Sequence, residues 1–176
     1  MELPRLDLCG SHDDQRLDSG TTDGRLAVPD DVGALLAEDA PVAIGVSGGK
    51  DSCAVAIATK AELDRCGHRG PQLLIHADLG RTEWKDSLPT CERLADRLDL
   101  ELVVVKREKG DMMDRWLQRW EDNLTRYREL SCVKLILPWS TPSMRFCPSE
   151  LEIQLITRYM AMERWQDCTI LNVTGP

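Results

Sequence analysis

The pattern of apolar positions starts with Val42–Val46 (VAIGV), an unbroken apolar run of the kind that forms a strand buried in a parallel sheet. Gln72–Ala77 (QLLIHA), Leu102–Lys106 (LVVVK) and Thr169–Val173 (TILNV) read as three more strands. Between them the apolar residues change to helical spacing. Ser52–Cys66 offers Cys53, Ala54, Ala56, Ile57 and Ala61 to one buried face, and Gly67 with Gly70–Pro71 stops it. Trp84–Leu98 places Leu88, Cys91, Leu94, Ala95 and Leu98 together. Asp111–Leu130 carries a stripe of Met113, Trp116, Leu117, Trp120, Leu124 and Tyr127, which helical spacing explains as helix core better than as a base-stacking platform. A loop around Pro138–Pro148 precedes a last helix, Glu150–Trp165. Pro29–Ala40 is a short first helix, with Asp30 and Asp31 near its positive end. Residues 1–28 are polar and read as a loosely ordered arm, and 29–176 as one domain without internal repeats.

Strand and helix in alternation predict the α/β class: a three-layer α/β/α fold with a mostly parallel, Rossmann-like sheet. Ligands in such folds bind beyond the carboxyl ends of the strands, where the strand order reverses. That draws the eye to the loop after the first strand.

Composition narrows the class. With 42% hydrophobic and 30% charged residues the chain is a soluble globular type, and 176 residues suffice to bury roughly 70% of the unfolded surface. No run approaches the roughly 18 apolar residues of a membrane-spanning helix. The opening MELPRLDLCGSHDDQ lacks the basic and apolar regions of a signal peptide, so a cytoplasmic location is expected. The formal charge of −8 excludes strong nonspecific nucleic-acid binding but is compatible with a local basic pocket for one nucleotide. Seven cysteines without a C-x-x-C pair read as free thiols, and no zinc or other resident metal site is expected.

The chemistry concentrates in Ser47-Gly48-Gly49-Lys50-Asp51-Ser52. Two glycines let the backbone turn its N–H groups toward an anion, and a helix start adds unpaired donors and the positive end of a dipole. Ser47 and Ser52 supply hydroxyls and Lys50 a charge. The spacing is not that of G-x-x-x-x-G-K-[ST]. Asp51 is either a Mg²⁺ ligand or an acidic residue favoured by the first turn of a helix. His76 is either a site residue or a half-buried strand residue, and Asp78 ends a strand where a carboxylate can accept from a ribose hydroxyl.

The segment SGGKDS resembles the PP-loop of the adenine nucleotide alpha-hydrolase superfamily, which includes ATP pyrophosphatases and phosphoadenylyl-sulfate (PAPS) reductases. LLIHADLGRTEW is similar to the H-x-D-T-G stretch of the PAPS reductase branch, with Leu79 where Thr is usual. SMRFCPSELEI resembles the branch's R-x-C-x-x-E-L-K segment, with Glu152 in place of Lys. TILNVTG is similar to the strand leading into a T-G-x-R loop, whose arginine is absent here. The likeness spans about residues 40–176.

This resemblance implies that Ser47, Gly48, Gly49, Lys50 and Ser52 hold phosphates, with His76 and Asp78 beside the adenosine. Arg145, Thr174 and Gly175 would complete the anion pocket. Backbone groups of Ala43–Val46 and Ile75–Ala77 are the expected neighbours of the adenine. Lys50, Arg145 and Cys147 are the candidate catalytic residues. Cys147 lies between Arg145 and a helix start, features that favour thiolate, although a small apolar residue packing a loop is the alternative. Cys132 and Cys168 are its potential companions for an iron–sulfur cluster, but their spacing makes a cluster unexpected.

The implied activity is sulfur chemistry on PAPS, APS or ATP: thiol-dependent reduction, with a donor such as thioredoxin, or Mg²⁺-dependent adenylation of a sulfur acceptor. Reductases of the family carry a nucleophilic cysteine in a C-terminal tail, whereas this sequence stops at Pro176. A fragment is therefore one expectation, and a non-catalytic nucleotide-binding subunit of a larger sulfurtransferase is the alternative function.

Overall fold

In the computed structural model, which describes residues 26–139, 153–166 and 168–175, the four apolar runs form one all-parallel sheet. The elements in chain order are α1 (Asp30–Ala37), β1 (Val42–Gly45), α2 (Lys50–Cys66), β2 (Gln72–Asp78), α3 (Ser87–Leu98), β3 (Glu101–Lys106), α4 (Met112–Arg128), α5 (Gln154–Tyr159) and β4 (Leu171–Val173). A 3₁₀ turn, Gly80–Thr82, follows β2, and α5 continues as a π turn over Met160–Arg164.

The sheet order is β3-β2-β1-β4. The chain steps outward from β1 to β3, then returns to add β4 on the other side of β1. Crossovers of one hand must change face when the direction of travel reverses. The packing follows that rule and gives three layers. Side chains alternate across a strand, so Val42, Ile44, Val46 and Leu74 bury against Ala56 and Leu63 of α2 and Cys91, Leu94 and Ala95 of α3. Ala43, Leu73 and Ile75 point to the opposite face, against Ile156 and Met160.

Several elements differ from the sequence expectation. Helix α2 begins at Lys50 and buries Ala56, Thr59 and Leu63, with Cys53 partly buried, while Ala54, Ile57 and Ala61 are exposed. The extended Gly49 starts the helix two residues earlier than expected, and the face toward the sheet is then set by contact, not by the count of apolar residues. Helix α3 starts at Ser87, because the chain runs extended through Glu83 after the 3₁₀ turn and then turns over Trp84–Ser87, the Ser87 N–H bonding Trp84 O at 3.1 Å; Trp84 is 86% exposed.

The α4 stripe is not a core. Its buried residues are Met112 and Asn123, whereas Leu117 and Tyr127 are about half exposed. Among the described residues this helix packs its start on the 3₁₀ turn, Met112 and Trp116 meeting Leu79, while Met113, Trp120 and Leu124 are half-buried. Met113, Leu117 and Trp120 line an open apolar groove with Leu137, Pro138 and Trp139.

The arm over residues 1–25, the loop residues 140–148 and the start of the last helix at Glu150 lie outside the described residues, as do Arg145 and Cys147. No helix among the described residues is long and apolar enough to cross a membrane.

Candidate functional site

The reversal of strand order lies between β1 and β4, and a cleft of about 390 Å³ opens at the carboxyl ends of these strands and β2. Ser47, Gly49, Lys50, Asp51 and Ser52 form one wall; Ile75, His76 and Ala77 a second; Thr174 and Gly175 a third. Gly45 and Val46 line the floor. Residues far apart in sequence thus converge on the loop at the head of α2.

The loop's geometry assigns its two glycines different work. Gly48 has φ +74°, and a Cβ there would lie 2.5 Å from the carbonyl oxygen and 2.7 Å from the Cα of Ser87. It lets the loop rest against the start of α3, and it does not line the cleft. Gly49 is extended (φ −77°, ψ 157°) and stands immediately before α2. The first helical hydrogen bond shown runs from Cys53 N–H to Gly49 O at 3.0 Å, and no side chain caps the helix. The N–H groups of Lys50, Asp51 and Ser52 therefore precede any intrahelical acceptor, the condition that makes a helix start bind anions.

Ser52 Oγ donates to Gly49 O at 3.0 Å. Having one proton, it then accepts from Ser47 N–H at 3.2 Å and from the Ser47 hydroxyl at 3.2 Å. The hydroxyls hold the loop closed on itself, and rotation about Cβ–Oγ can redirect their O–H donors. Lys50 and Asp51 are exposed, and among the described residues Lys50 forms no ion pair. Gly175 sits over this helix start: a Cβ on it would lie 3.6 Å from Ser52 Cα.

Beneath the loop lies a buried polar group. His76 is 1% exposed, and its Nδ1 is 2.8 Å from Val46 O. A carbonyl only accepts, so Nδ1 carries the proton. Nε2 lies 3.1 Å from Glu83 Oε1 but off the line of a hydrogen bond, and it has no aligned partner. Glu83 lines the cleft, and its Oε2 accepts from Leu79 N–H at 3.2 Å. Cys91 Sγ is 3.7 Å from His76 Nδ1. Burial pushes the Cys91 thiol up to about 11; nearby Cys53 and Glu83 add to the rise, and the Gly48 N–H opposes it. Cys91 is thus a protonated packing residue under the loop.

Asp78 stands at the end of β2 but does not line the cleft. Its Oδ1 accepts from Gly80 N–H at 2.8 Å, an Asx turn that starts the 3₁₀ segment. That segment is clamped from outside: Arg81 Nε donates to Asp111 Oδ2 at 2.6 Å, Nη2 to Asp111 Oδ1 at 2.9 Å, and Nη2 also to Asp114. The Arg81 guanidinium, with the Asp114 N–H, holds the Asp111 carboxyl well below the usual carboxylate range. Asp111 also caps α4 in a reciprocal pair with Asp114.

Of the predicted adenine neighbours, Gly45, Val46 and Ile75–Ala77 line the cleft, and Ala43 and Ile44 do not. Glu83, Asn172 and Ile156 line it without having been singled out from sequence. Asn172 carried a signal, being one polar residue in the apolar run TILNV. Glu83 carried none, because only the fold of the 3₁₀ turn brings it back to His76. Among the described residues no three His, Cys, Asp or Glu side chains are grouped to hold a metal ion. Comparison with protein-family models and with curated proteins finds no match to this chain.

Proposed function

We propose that the cleft binds an adenine nucleotide through its phosphates, and that the protein is an enzyme of the PAPS reductase-like branch acting in sulfur metabolism or sulfur transfer. One observation carries this reading. The SGGKDS loop stands at a strand-to-helix junction, with uncapped helix-start N–H groups, paired Ser hydroxyls and a Lys50 without an ion-pair partner among the described residues, around a cleft at the switch point of a parallel sheet. This is a polyanion site by its chemistry. The adenine preference rests on the resemblance of SGGKDS to the superfamily's PP-loop, and the sulfur chemistry on that of IHADLG and RFCPSEL to the branch. Within this reading Lys50 and Arg145 neutralise phosphate charge and Cys147 is the candidate thiolate.

Isothermal titration with ATP, PAPS and AMP, each with and without Mg²⁺, tests the binding. Lys50→Ala, at an exposed position, removes a charge-assisted contact of about 1.5–3 kcal/mol and is expected to weaken nucleotide affinity roughly ten- to hundredfold with the fold intact. No heat with any nucleotide, or unchanged affinity in the variant, removes the loop from the account. Sulfite release from PAPS with a thiol donor identifies the reductive activity, and pyrophosphate release from ATP identifies the adenylating one. Binding without either product leaves a non-catalytic nucleotide subunit.

A further inference from the structure

A second cavity, of about 410 Å³, lies at the carboxyl end of β3 against α5. Lys106, Arg107, Lys109 and Arg158 line it with a single acid, Glu108, giving a local excess of three positive charges in a chain whose net charge is −8. The groove is built. Arg107 Nη1 donates to Lys109 O at 2.7 Å, folding the loop after β3 on itself. Gly110 (φ +82°) then turns the chain into the Asp111–Asp114 cap of α4, packed so closely that a Cβ on it would meet Asp114 at 2.4 Å. Arg158 reaches across from α5 to within 3.7 Å of Glu108. Among the described residues neither Lys106 nor Lys109 has an ion-pair partner, although acids outnumber bases 30 to 22 over the chain.

The groove adjoins the nucleotide cleft. Helix α5 contributes Ile156 to the cleft and Leu155, Arg158 and Tyr159 to the groove. On the sheet, His76 and Ala77 of the cleft pair in register with Val104 and Val105 of the groove, so the walls are one inter-strand spacing apart, about 5 Å. We propose that this groove is an anion site, taking the phosphate, sulfate or sulfonate group of a small second substrate beside a nucleotide in the cleft. The role of second substrate rests on the nucleotide reading of the cleft; the anion site does not. Four cations around one concavity repel each other, and an anion between them relieves that repulsion.

The test is a titration of the full chain with inorganic phosphate at low ionic strength, followed by amide NMR shifts. Saturable shifts are expected at Lys106–Gly110, separate from any at Ser47–Ser52. Lys106→Glu combined with Lys109→Glu, both at exposed positions, should weaken the groove response at least about tenfold and leave ATP affinity within about twofold. Lys50→Ala should leave the groove response unchanged. No saturable shift at Lys106–Gly110 up to about 20 mM phosphate, or a response indifferent to charge reversal, overturns the site. Tighter binding of an oligonucleotide than of phosphate at these residues overturns the assignment to a small substrate. Groove shifts without any nucleotide binding at Ser47–Ser52 uphold the anion site and sink the functional reading instead.

Discussion

Gly48 and Gly49 are adjacent, and the structure predicts opposite outcomes for the same substitution. Gly48→Ala forces an L-residue into φ +74°, which costs about 1–2 kcal/mol. The new Cβ also lies 2.5–2.7 Å from the Ser87 backbone, which has no flexible side chain to yield. Overpacking of this sort costs typically about 1–3 kcal/mol. Together these give roughly 2–5 kcal/mol, a large part of the roughly 5–15 kcal/mol that holds a domain folded. At about 2–4 °C per kcal/mol for a chain of this size, Tm should fall by roughly 4–20 °C. Gly49→Ala meets a different environment. Its φ and ψ are open to any residue, and the nearest atom to a new Cβ is Ser47 Oγ at an ordinary 3.5 Å. Loss of the favourable glycine cap and the gain from a stiffer unfolded chain nearly cancel, leaving stability within about 0.5 kcal/mol. Urea unfolding and thermal melts of the two variants make the comparison. Equal midpoints for both variants would refute the assignment of Gly48 to the α3 contact.

Other predictions follow from the groups around the loop. At pH 8 a thiol titrating near 11 is thiolate in only about one molecule in a thousand. Brief native alkylation read by mass spectrometry should therefore label the exposed Cys66 and Cys168 well before Cys91, and comparable rates would contradict the buried packing. His76→Ala removes the donor to Val46 O and opens a cavity, costing about 2–4 kcal/mol by denaturant unfolding. His76→Asn retains a donor in reach of that carbonyl and should recover part of this loss; equal losses would mean the hydrogen bond contributes nothing. The Asp111 carboxyl titrates below its ordinary value of 3.8, so the folded state binds fewer protons there than the unfolded. The Arg81 clamp therefore stabilises fully above that value and is lost as pH falls below it. Asp111→Asn should flatten the acid limb of a stability-against-pH curve below about pH 4, and an unchanged limb would show that the clamp does not couple to folding.

The α/β class, the four strands and most helix positions were legible in the linear pattern, because a buried parallel strand has to be an apolar run and its crossover helix an amphipathic one. VAIGVSGGKDSC was legible as an anion loop for a similar reason: adjacent glycines between a strand and a helix have a local geometric cause. Local rules stop at contacts between distant segments. Which side of α2 is buried was settled by its contact with the sheet, not by the tally of alanines. The α4 stripe of Met113, Leu117 and Trp120 looked like core, but α4 packs on a 3₁₀ turn and most of that stripe lines an open groove.

At the site the division is the same. The sequence by itself determined the loop, its lysine and its serines. The tertiary structure alone turned Gly48 away from the cleft onto Ser87, set Asp78 to an Asx turn, and brought Glu83 to His76. It also set Thr174 and Gly175 beside residues more than a hundred positions earlier, because only the return of β4 to the flank of β1 creates the switch point.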